Sequence, residues 1–172
     1  QYEASIEPLR RFAAANSKLP AIRFLLGAAC ERTGKRQEAE EAFREALRLD
    51  GNFHAALNYL GYMWAEAGRN LTEAKTLLER AVALEPDNGS YVDSLGWAHF
   101  QAGELDPARL YLERAARLAP DDSAVHEHLG DVYRALGKAD QARSQYERSL
   151  ALGSDKDQEL RRKLDGLDVA RP

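Results

Sequence analysis

Apolar residues recur along this chain at helical spacing. Phe43 lies four residues after Ala39 and three before Ala46, and side chains at these intervals share one face of an α-helix. Matching triplets follow at Ala74, Leu78 and Ala81, at Ala108, Leu112 and Ala115, and at Ala142, Tyr146 and Ser149. The pattern therefore predicts amphipathic helices that recur at a fixed period, and it predicts no β-strand.

A Leu-Gly pair precedes each of these triplets. The pairs are Leu26-Gly27, Leu60-Gly61, Leu95-Gly96 and Leu129-Gly130, and their glycines are 34, 35 and 34 residues apart. A glycine inside a helix costs about 0.5 to 1 kcal/mol relative to alanine, so four in register predict that two antiparallel helix backbones approach closely beside each glycine. The extra residue of the longer interval lies in Gly68–Leu71, where a turn between two helices can absorb it.

Turn residues divide the repeat into two helices. The first helices are predicted to end at glycines in the left-handed conformation, and Asp106 and Asp140 are predicted to cap the second helices. The glycines are Gly34, Gly68, Gly103 and Gly137. Pro86 and Pro120 are predicted to stop second helices, and the Asp, Asn or Ser residues that follow to cap the next helix.

The motifs of this repeat, Leu-Gly followed by Ala, a large residue, Ala and Pro, resemble tetratricopeptide repeats. The resemblance implies an all-α fold, namely a right-handed α-solenoid of antiparallel helical hairpins. The sequence departs from the family pattern at the first-helix tryptophan, which is replaced by Arg23, Leu57, Val92 and His126. The predicted boundaries are residues 1–19 for the second helix of a truncated preceding repeat, 20–53, 54–88, 89–122 and 123–156 for four repeats, and 157–172 for a capping helix and tail.

Composition excludes several other classes of protein. The chain has 172 residues, 44% apolar and 30% charged, with a net charge of -4, so no basic field would attract nucleic acid. A single cysteine, Cys30, excludes an internal disulfide. No apolar stretch approaches the roughly 20 residues of a spanning helix, so we expect no direct membrane insertion by this segment. We expect neither a cofactor nor a metal.

The tetratricopeptide resemblance also implies a ligand-binding groove, because first-helix positions 2, 5, 9 and 12 lie on the concave side in that family. The candidate residues for this groove are Phe24, Asn58, Tyr62, Asp93, Trp97, Phe100, Glu127, Asp131 and Arg134. Its aromatic middle suits an apolar side chain or a peptide, and its acidic end a basic segment. The alternative for Trp97 and Phe100 is burial against the neighbouring first helix, and Trp64 and Cys30 are predicted to be core residues.

Histidines are the other candidates for chemistry. His126 and His128 are two residues apart on a predicted helix and would face in different directions, unlike metal ligands spaced by three or four. His99 and His126 occupy core-type positions, where contact with each other or with a carboxylate is expected. No nucleophile with a base and an oxyanion turn is present, so the sequence predicts that the protein is not an enzyme.

Both ends of the segment carry expectations. Residues 1 to about 17 resemble the second helix of a hairpin, which implies that the array begins before Gln1, and Pro8 is expected to kink or shorten that helix. Near the C-terminus the leucines are predicted to share one face of a capping helix, with Lys163 and its basic neighbours in solvent. The leucines are Leu160, Leu164 and Leu167, and the basic neighbours are Arg161 and Arg162.

A denser likeness covers four short segments. They are Asn58–Tyr62, Asp93–Trp97, His128–Asp131 and the turn Gly68–Leu71. These segments resemble the C-terminal repeats of bacterial envelope tetratricopeptide lipoproteins, one of which is the adaptor of a periplasmic carboxyl-terminal processing protease. The resemblance implies a periplasmic or outer-membrane location, with the cytoplasm as the alternative, and that protease or its substrate as partner.

The function that follows is a non-catalytic protein–protein interaction scaffold or adaptor that binds a peptide or protein segment in its groove, as part of a larger bacterial protein. A structural spacer or a self-association module without a separate ligand is the alternative. The sequence leaves homo-oligomerisation open.

Overall fold

A computed structural model describes residues 2–169, and over that range the chain forms ten α-helices. They are α1 Tyr2–Ala15, α2 Pro20–Arg32, α3 Arg36–Leu49, α4 His54–Glu66, α5 Leu71–Leu84, α6 Gly89–Gln101, α7 Leu105–Leu118, α8 Ser123–Ala135, α9 Ala139–Ala151 and α10 Asp157–Val169. The described residues contain no strand, and the predicted all-α class is confirmed. Two compact units are present, one up to Glu85 and one from Pro86.

The first unit contains α1 to α5. Helices α2 and α3 form one antiparallel hairpin, α4 and α5 form a second, and α1 packs on α2. Phe43 on α3, Leu78 on α5 and Cys30 on α2 are fully buried, and Trp64 on α4 is 5% exposed. The core positions predicted for Cys30 and Trp64 are therefore confirmed, and both residues belong to one apolar cluster.

The second unit contains α6 to α10. Helices α6 and α7 form a hairpin, α8 and α9 form another, and α10 packs on α9. Leu112 and Tyr146 are fully buried, each on the second helix of its hairpin. The apolar cluster around Tyr146 also takes in Leu160 and Leu167 of α10, so this last helix is part of the unit's core.

Close backbone approach explains the helical glycines. A β-carbon added at Gly130 would lie 2.5 Å from the Tyr146 ring, and one added at Gly61 would lie 2.7 Å from Leu78 Cγ. Real β-carbons essentially never come this close to another side chain, so the large residue of each second helix fills the space that the glycine leaves open. The predicted role of the Leu-Gly motif in hairpin packing is confirmed.

The turn predictions are confirmed in part. All four predicted glycines have positive φ, and Asn70 adopts the left-handed conformation with φ of 50° in the turn that carries the extra residue. The side chains of Asn88 and Asp122 cap α6 and α8. Asp106 and Asp140 are not caps, because α7 and α9 begin one residue before each of them. These carboxylates lie in the first turn, where they favour the positive end of the helix.

A periodic arginine joins the second helix of three hairpins to the turn before the hairpin. Arg80 donates to the carbonyl of Gly51 at 2.5 Å, Arg114 to that of Pro86 at 2.5 Å, and Arg148 to that of Pro120 at 3.3 Å. These carbonyls lie beyond helix ends, where no intrahelical donor reaches them. The arginines recur every 34 residues and satisfy one exposed acceptor per turn.

Helix α1 differs from the expectation at Pro8. It runs from Tyr2 to Ala15 with Pro8 inside it, so the predicted shortening is wrong, and the alternative, a kink, stays a prediction. Ile6 and Ala13 are buried, whereas Phe12 is 50% exposed. Packing of the buried face on α2 compensates for the hydrogen bond that proline removes. Residues 1 and 170–172 of the two predicted terminal segments lie outside the described range.

Candidate partner-binding site

In the first unit, the predicted groove residue Phe24 lies in an aromatic cluster. Its ring centroid is 5.2 Å from that of Tyr59 on α4 in an edge-to-face arrangement, and 5.8 Å from that of Phe43 on α3. Such ring pairs add roughly 0.5 to 1.5 kcal/mol beyond the area they bury. Phe24 therefore joins two successive first helices, and much of its surface is used inside the chain.

Asn58 and Tyr62 lie on α4 at the two corresponding groove positions. Asn58 is 8% exposed, and within residues 2–169 its Oδ1 atom has no hydrogen-bond donor. Tyr62 is half-buried. A buried acceptor without a donor costs about 1 to 3 kcal/mol, so α4 keeps a polar atom that the described part of the fold does not satisfy.

In the second unit, Asp93 and Trp97 hold a histidine of the next first helix. Both carboxylate oxygens of Asp93 lie 3.0 Å from His128 Nδ1, and the two side chains are almost fully buried. The Trp97 ring stacks on the imidazole with centroids 4.2 Å apart, and Phe100 stacks on the same indole at 5.1 Å. We call the contact of Asp93 and Trp97 with His128 the α6–α8 junction; it places Trp97 against the neighbouring helix.

Two opposing effects act on the pKa of His128. Burial lowers it, but the charge of Asp93 and its hydrogen bond raise it, and Glu127 adds a smaller increase. The net result is a pKa above the ordinary value of 6.5, because a carboxylate at hydrogen-bond distance favours the imidazolium form. In the imidazolium form the ring lies over an indole face, which favours a cation.

The next pair of predicted groove residues, Glu127 and Asp131, holds a lysine of α10. Lys163 Nζ lies 2.9 Å from Glu127 Oε1 and 2.8 Å from Asp131 Oδ2, and its side chain is 12% exposed. The prediction that Lys163 is solvated is therefore wrong, because packing of Leu160 and Leu167 brings this side of α10 onto α8. We call the contact of Glu127 and Asp131 with Lys163 the α8–α10 junction.

The α8–α10 junction is charged on both sides. Burial lowers the pKa of Lys163, but hydrogen bonds to Asp131 and Glu127 raise it, and the net pKa is above its ordinary value. Burial raises the pKa of Glu127, but the hydrogen bond and charge of Lys163 lower it further, so the net pKa is below its ordinary value. Tyr146 also donates its hydroxyl to Asp131 at 2.7 Å. Glu127 is thus paired in its charged form, and Asp131 accepts hydrogen bonds from both Lys163 and Tyr146.

Arg134 completes the set of predicted groove residues. It is exposed, and its guanidinium lies 3.5 Å from Asp131 Oδ1. The acidic end that was expected to prefer a basic segment therefore already holds a lysine of this chain.

Sequence reasoning missed His128 and Lys163 as the partners at these junctions. A signal was present: His128 follows Asp93 by 35 residues and Lys163 follows Glu127 by 36, which is close to the repeat period. Acid and cation one period apart on first-helix positions face each other when successive helices pack side by side.

Two other histidines, His99 and His126, have structural partners. His99 Nδ1 lies 2.5 Å from Glu104 Oε2, and its ring stacks on Tyr111. His126 bonds to Gln145 Oε1 at 2.7 Å and to the carbonyl of Pro120 at 3.0 Å. The expected carboxylate contact is confirmed for His99. Within the described range, no three His, Cys, Asp or Glu side chains are grouped so that they could hold a metal ion.

Comparison with known proteins agrees with this geometry. Tetratricopeptide-repeat family models match residues 20–53, 65–123 and 94–159. The chain belongs to the tetratricopeptide-repeat family. Its hairpins, the glycine contacts within them and its structural neighbours also bear out the predicted class, an α-solenoid of antiparallel helical hairpins.

Named relatives extend the comparison. The TPR repeat-containing protein PA4667 of Pseudomonas aeruginosa is 33% identical over 71 residues, which are 41% of this chain and 12% of that protein. This tetratricopeptide chain thus matches a small part of a much longer relative.

Solved structures share the fold at low sequence identity. TTC0263 of Thermus thermophilus, a thermophilic TPR protein, has a TM-score of 0.79 at 21% identity, covering 98% of this chain and 91% of that one. Cut9 in the APC/C hetero-tetramer Cut9-Hcn1 has a TM-score of 0.87 at 19% identity, covering 98% of this chain and 33% of that one.

In the described range of this tetratricopeptide protein, no helix has the length and apolar character to cross a membrane.

Proposed function

We propose that this chain is a non-catalytic scaffold or adaptor that binds a peptide or protein segment on the groove face of its first helices. The tetratricopeptide fold is a protein–protein interaction fold, and its members are generally non-catalytic. The second helices use their apolar faces inside the hairpins, as the burial of Phe43, Leu78, Leu112 and Tyr146 shows. The family resemblance assigns ligand binding to the groove face of the first helices, where Trp97 and Phe100 are half-buried.

The observation that carries the proposal is the state of Trp97. Its ring is half-buried beside half-buried Phe100, and within residues 2–169 its indole Nε1 has no hydrogen-bond acceptor. A tryptophan with an unused donor next to a second aromatic ring has the chemistry of an interface hot spot. This Nε1 atom is buried in the free chain, so a peptide carbonyl would accept its hydrogen bond after the indole has moved.

For the partner and its location we propose a protein of the bacterial envelope, as the denser family likeness implies. The resemblance to a periplasmic protease adaptor supports that protease or its substrate as the first candidate to test. Cut9, a structural neighbour, forms a hetero-tetramer with Hcn1, which supports a protein as the class of ligand but not its identity.

Affinity capture followed by mass spectrometry tests the proposal, with binding of each captured protein then measured on purified components. We expect the double variant Trp97→Phe with Phe100→Ala to weaken binding about tenfold or more, because it removes the indole donor and one ring of the pair. Phenylalanine at position 97 keeps a ring on His128. The control is Leu110→Ser, which removes a 58% exposed leucine from a second helix. Equal loss in the control, or none in the double variant, would reject this site.

Self-association is the alternative to a separate ligand. Light scattering at several protein concentrations distinguishes the two functions, because a self-association module increases in mass with concentration while a scaffold for another protein stays at one mass.

A further inference from the structure

Helix α10 is attached to the rest of its unit by few side chains. Leu160 and Leu167 are buried, Lys163 fills the α8–α10 junction, and most other described side chains of α10 are exposed. The helix follows Gly153, which has φ of 81°. By contrast, α8 buries nine residues. Helix α10 can therefore leave without opening the contact between Gly130 and Tyr146 that holds the α8–α9 hairpin together.

The surface beneath α10 is selective. It offers apolar side chains of the cluster around Tyr146 and two carboxylates, Glu127 and Asp131, that are 3% and 6% exposed. Without Lys163, and within the described range, Glu127 would keep only Lys156, whose Nζ lies 3.2 Å from Oε2, and Asp131 only the Tyr146 hydroxyl and the exposed Arg134. A helix without a cation at this place would therefore remove the buried cation that both carboxylates share, which is unfavourable. The surface therefore accepts a helix with an apolar, cationic, apolar pattern at spacings of three and four, as α10 has in Leu160, Lys163 and Leu167.

We propose that α10 is a tethered occupant of an interaction surface, and that a basic amphipathic helix of a partner protein binds there by replacing it. The proposal rests on the scaffold function and names the chemistry of one partner segment. A tethered helix competes at a local concentration in the millimolar range, so α10 lowers the apparent affinity of the surface for a free helix.

A fluorescein-labelled peptide of residues 155–167 serves as the probe in fluorescence anisotropy. The acceptor is the full chain with Leu160→Ser and Leu167→Ser, which weakens the hold of α10 but leaves the carboxylates in place. We expect it to bind the peptide at least about tenfold more tightly than the wild-type chain does. The matched control is the full chain with Arg161→Ser and Arg162→Ser, two exposed α10 residues, and its affinity should equal that of wild type.

Two further arms test the chemistry. A peptide with Lys163→Glu should not bind, and adding Glu127→Gln to the acceptor should weaken binding at least about fivefold, since one of two charged hydrogen bonds is lost. Circular dichroism checks that each variant is folded.

Equal peptide affinity in the wild-type chain, the control and the acceptor would overturn the proposal. Failure of the folded acceptor to bind the peptide would also overturn it. The two proposals can fail separately. If the chain binds its captured partner through Trp97 and Phe100 but the folded acceptor variant does not bind the peptide, the scaffold function is supported and the present proposal is rejected. If the acceptor binds the wild-type peptide but not the Lys163→Glu peptide, the present proposal is supported, independently of the result of the capture experiment.

Discussion

The α6–α8 and α8–α10 junctions solve the same packing problem with different chemistry. In each, two groove positions of one first helix hold a side chain of the helix that comes one period later. The α6–α8 junction uses one carboxylate and an indole around His128, whereas the α8–α10 junction uses two carboxylates around Lys163. The first has an imidazole whose pKa is raised and a single carboxylate that accepts its hydrogen bond, and the second has an ammonium group with two such carboxylates. The comparison shows how one repeat position can form a junction that weakens as the pH rises or one that weakens as the pH falls.

The largest expected effect comes from removing one carboxylate at each junction. Asp93→Ala takes away the charged partner of His128 and leaves a buried imidazole N–H without its acceptor, which should cost about 2 to 3 kcal/mol of unfolding free energy. Glu127→Ala leaves Lys163 bonded to Asp131 at 2.8 Å and should cost about 1 kcal/mol. Urea denaturation of both variants measures the difference. Equal losses would show that duplication of the acid does not protect the α8–α10 junction.

The pH dependence of stability should separate the junctions next. Because the pKa of His128 is raised above 6.5 in the folded chain, its stabilisation is full below that value and is lost as the pH rises through the folded pKa. The pKa of Glu127 is lowered below 4.5, so its stabilisation is present above 4.5 and is lost as the pH falls through the folded value. The two junctions therefore weaken on opposite sides of neutrality.

The loss of stability of the α6–α8 junction at alkaline pH can be measured directly. The quantity is the unfolding free energy of the wild-type chain minus that of His128→Gln, determined between about pH 6 and 9. We expect this difference to decrease with pH, by less than the Asp93→Ala effect, because the hydrogen bond survives deprotonation at the other ring nitrogen. Fluorescence of Trp97 in a Trp64→Phe background should increase as the pH rises through the raised pKa of His128, because the stacked imidazole then loses its charge. A difference that is flat with pH would mean that His128 is neutral in the fold.

Arg134→Ala should have the smallest effect. Its guanidinium is 48% exposed and 3.5 Å from Asp131, so the loss should stay within about 0.5 kcal/mol. Thermal melts of Arg134→Ala beside Lys163→Ala, which removes the buried cation, measure this. Equal shifts of the melting temperature in the two variants would assign the charge balance of Asp131 to Arg134 and not to Lys163.

The sequence by itself determined the repeat, its period and the pairing inside each hairpin. Spacing sufficed for these because a helical glycine and the large residue of the following helix, such as Gly130 and Tyr146, belong to one local unit of the chain. The left-handed turn glycines could be predicted for the same reason, since the backbone conformation that ends a helix depends on nearby residues. Asp106 and Asp140 each lie two residues after the observed cap position, because the exact helix start depends on packing and not on the acid alone.

Only the tertiary structure decided what the predicted groove residues do. Asp93 and Glu127 stand at equivalent positions, and nothing local to either one shows that the first pairs with an imidazole and the second with a lysine of α10. Those partners lie 35 and 36 residues away, and whether such groups meet depends on how one helix is rotated and shifted against the next. That arrangement is set by the whole apolar cluster, including Leu160 and Leu167, which is why Lys163 looks solvated in the sequence and is buried in the fold.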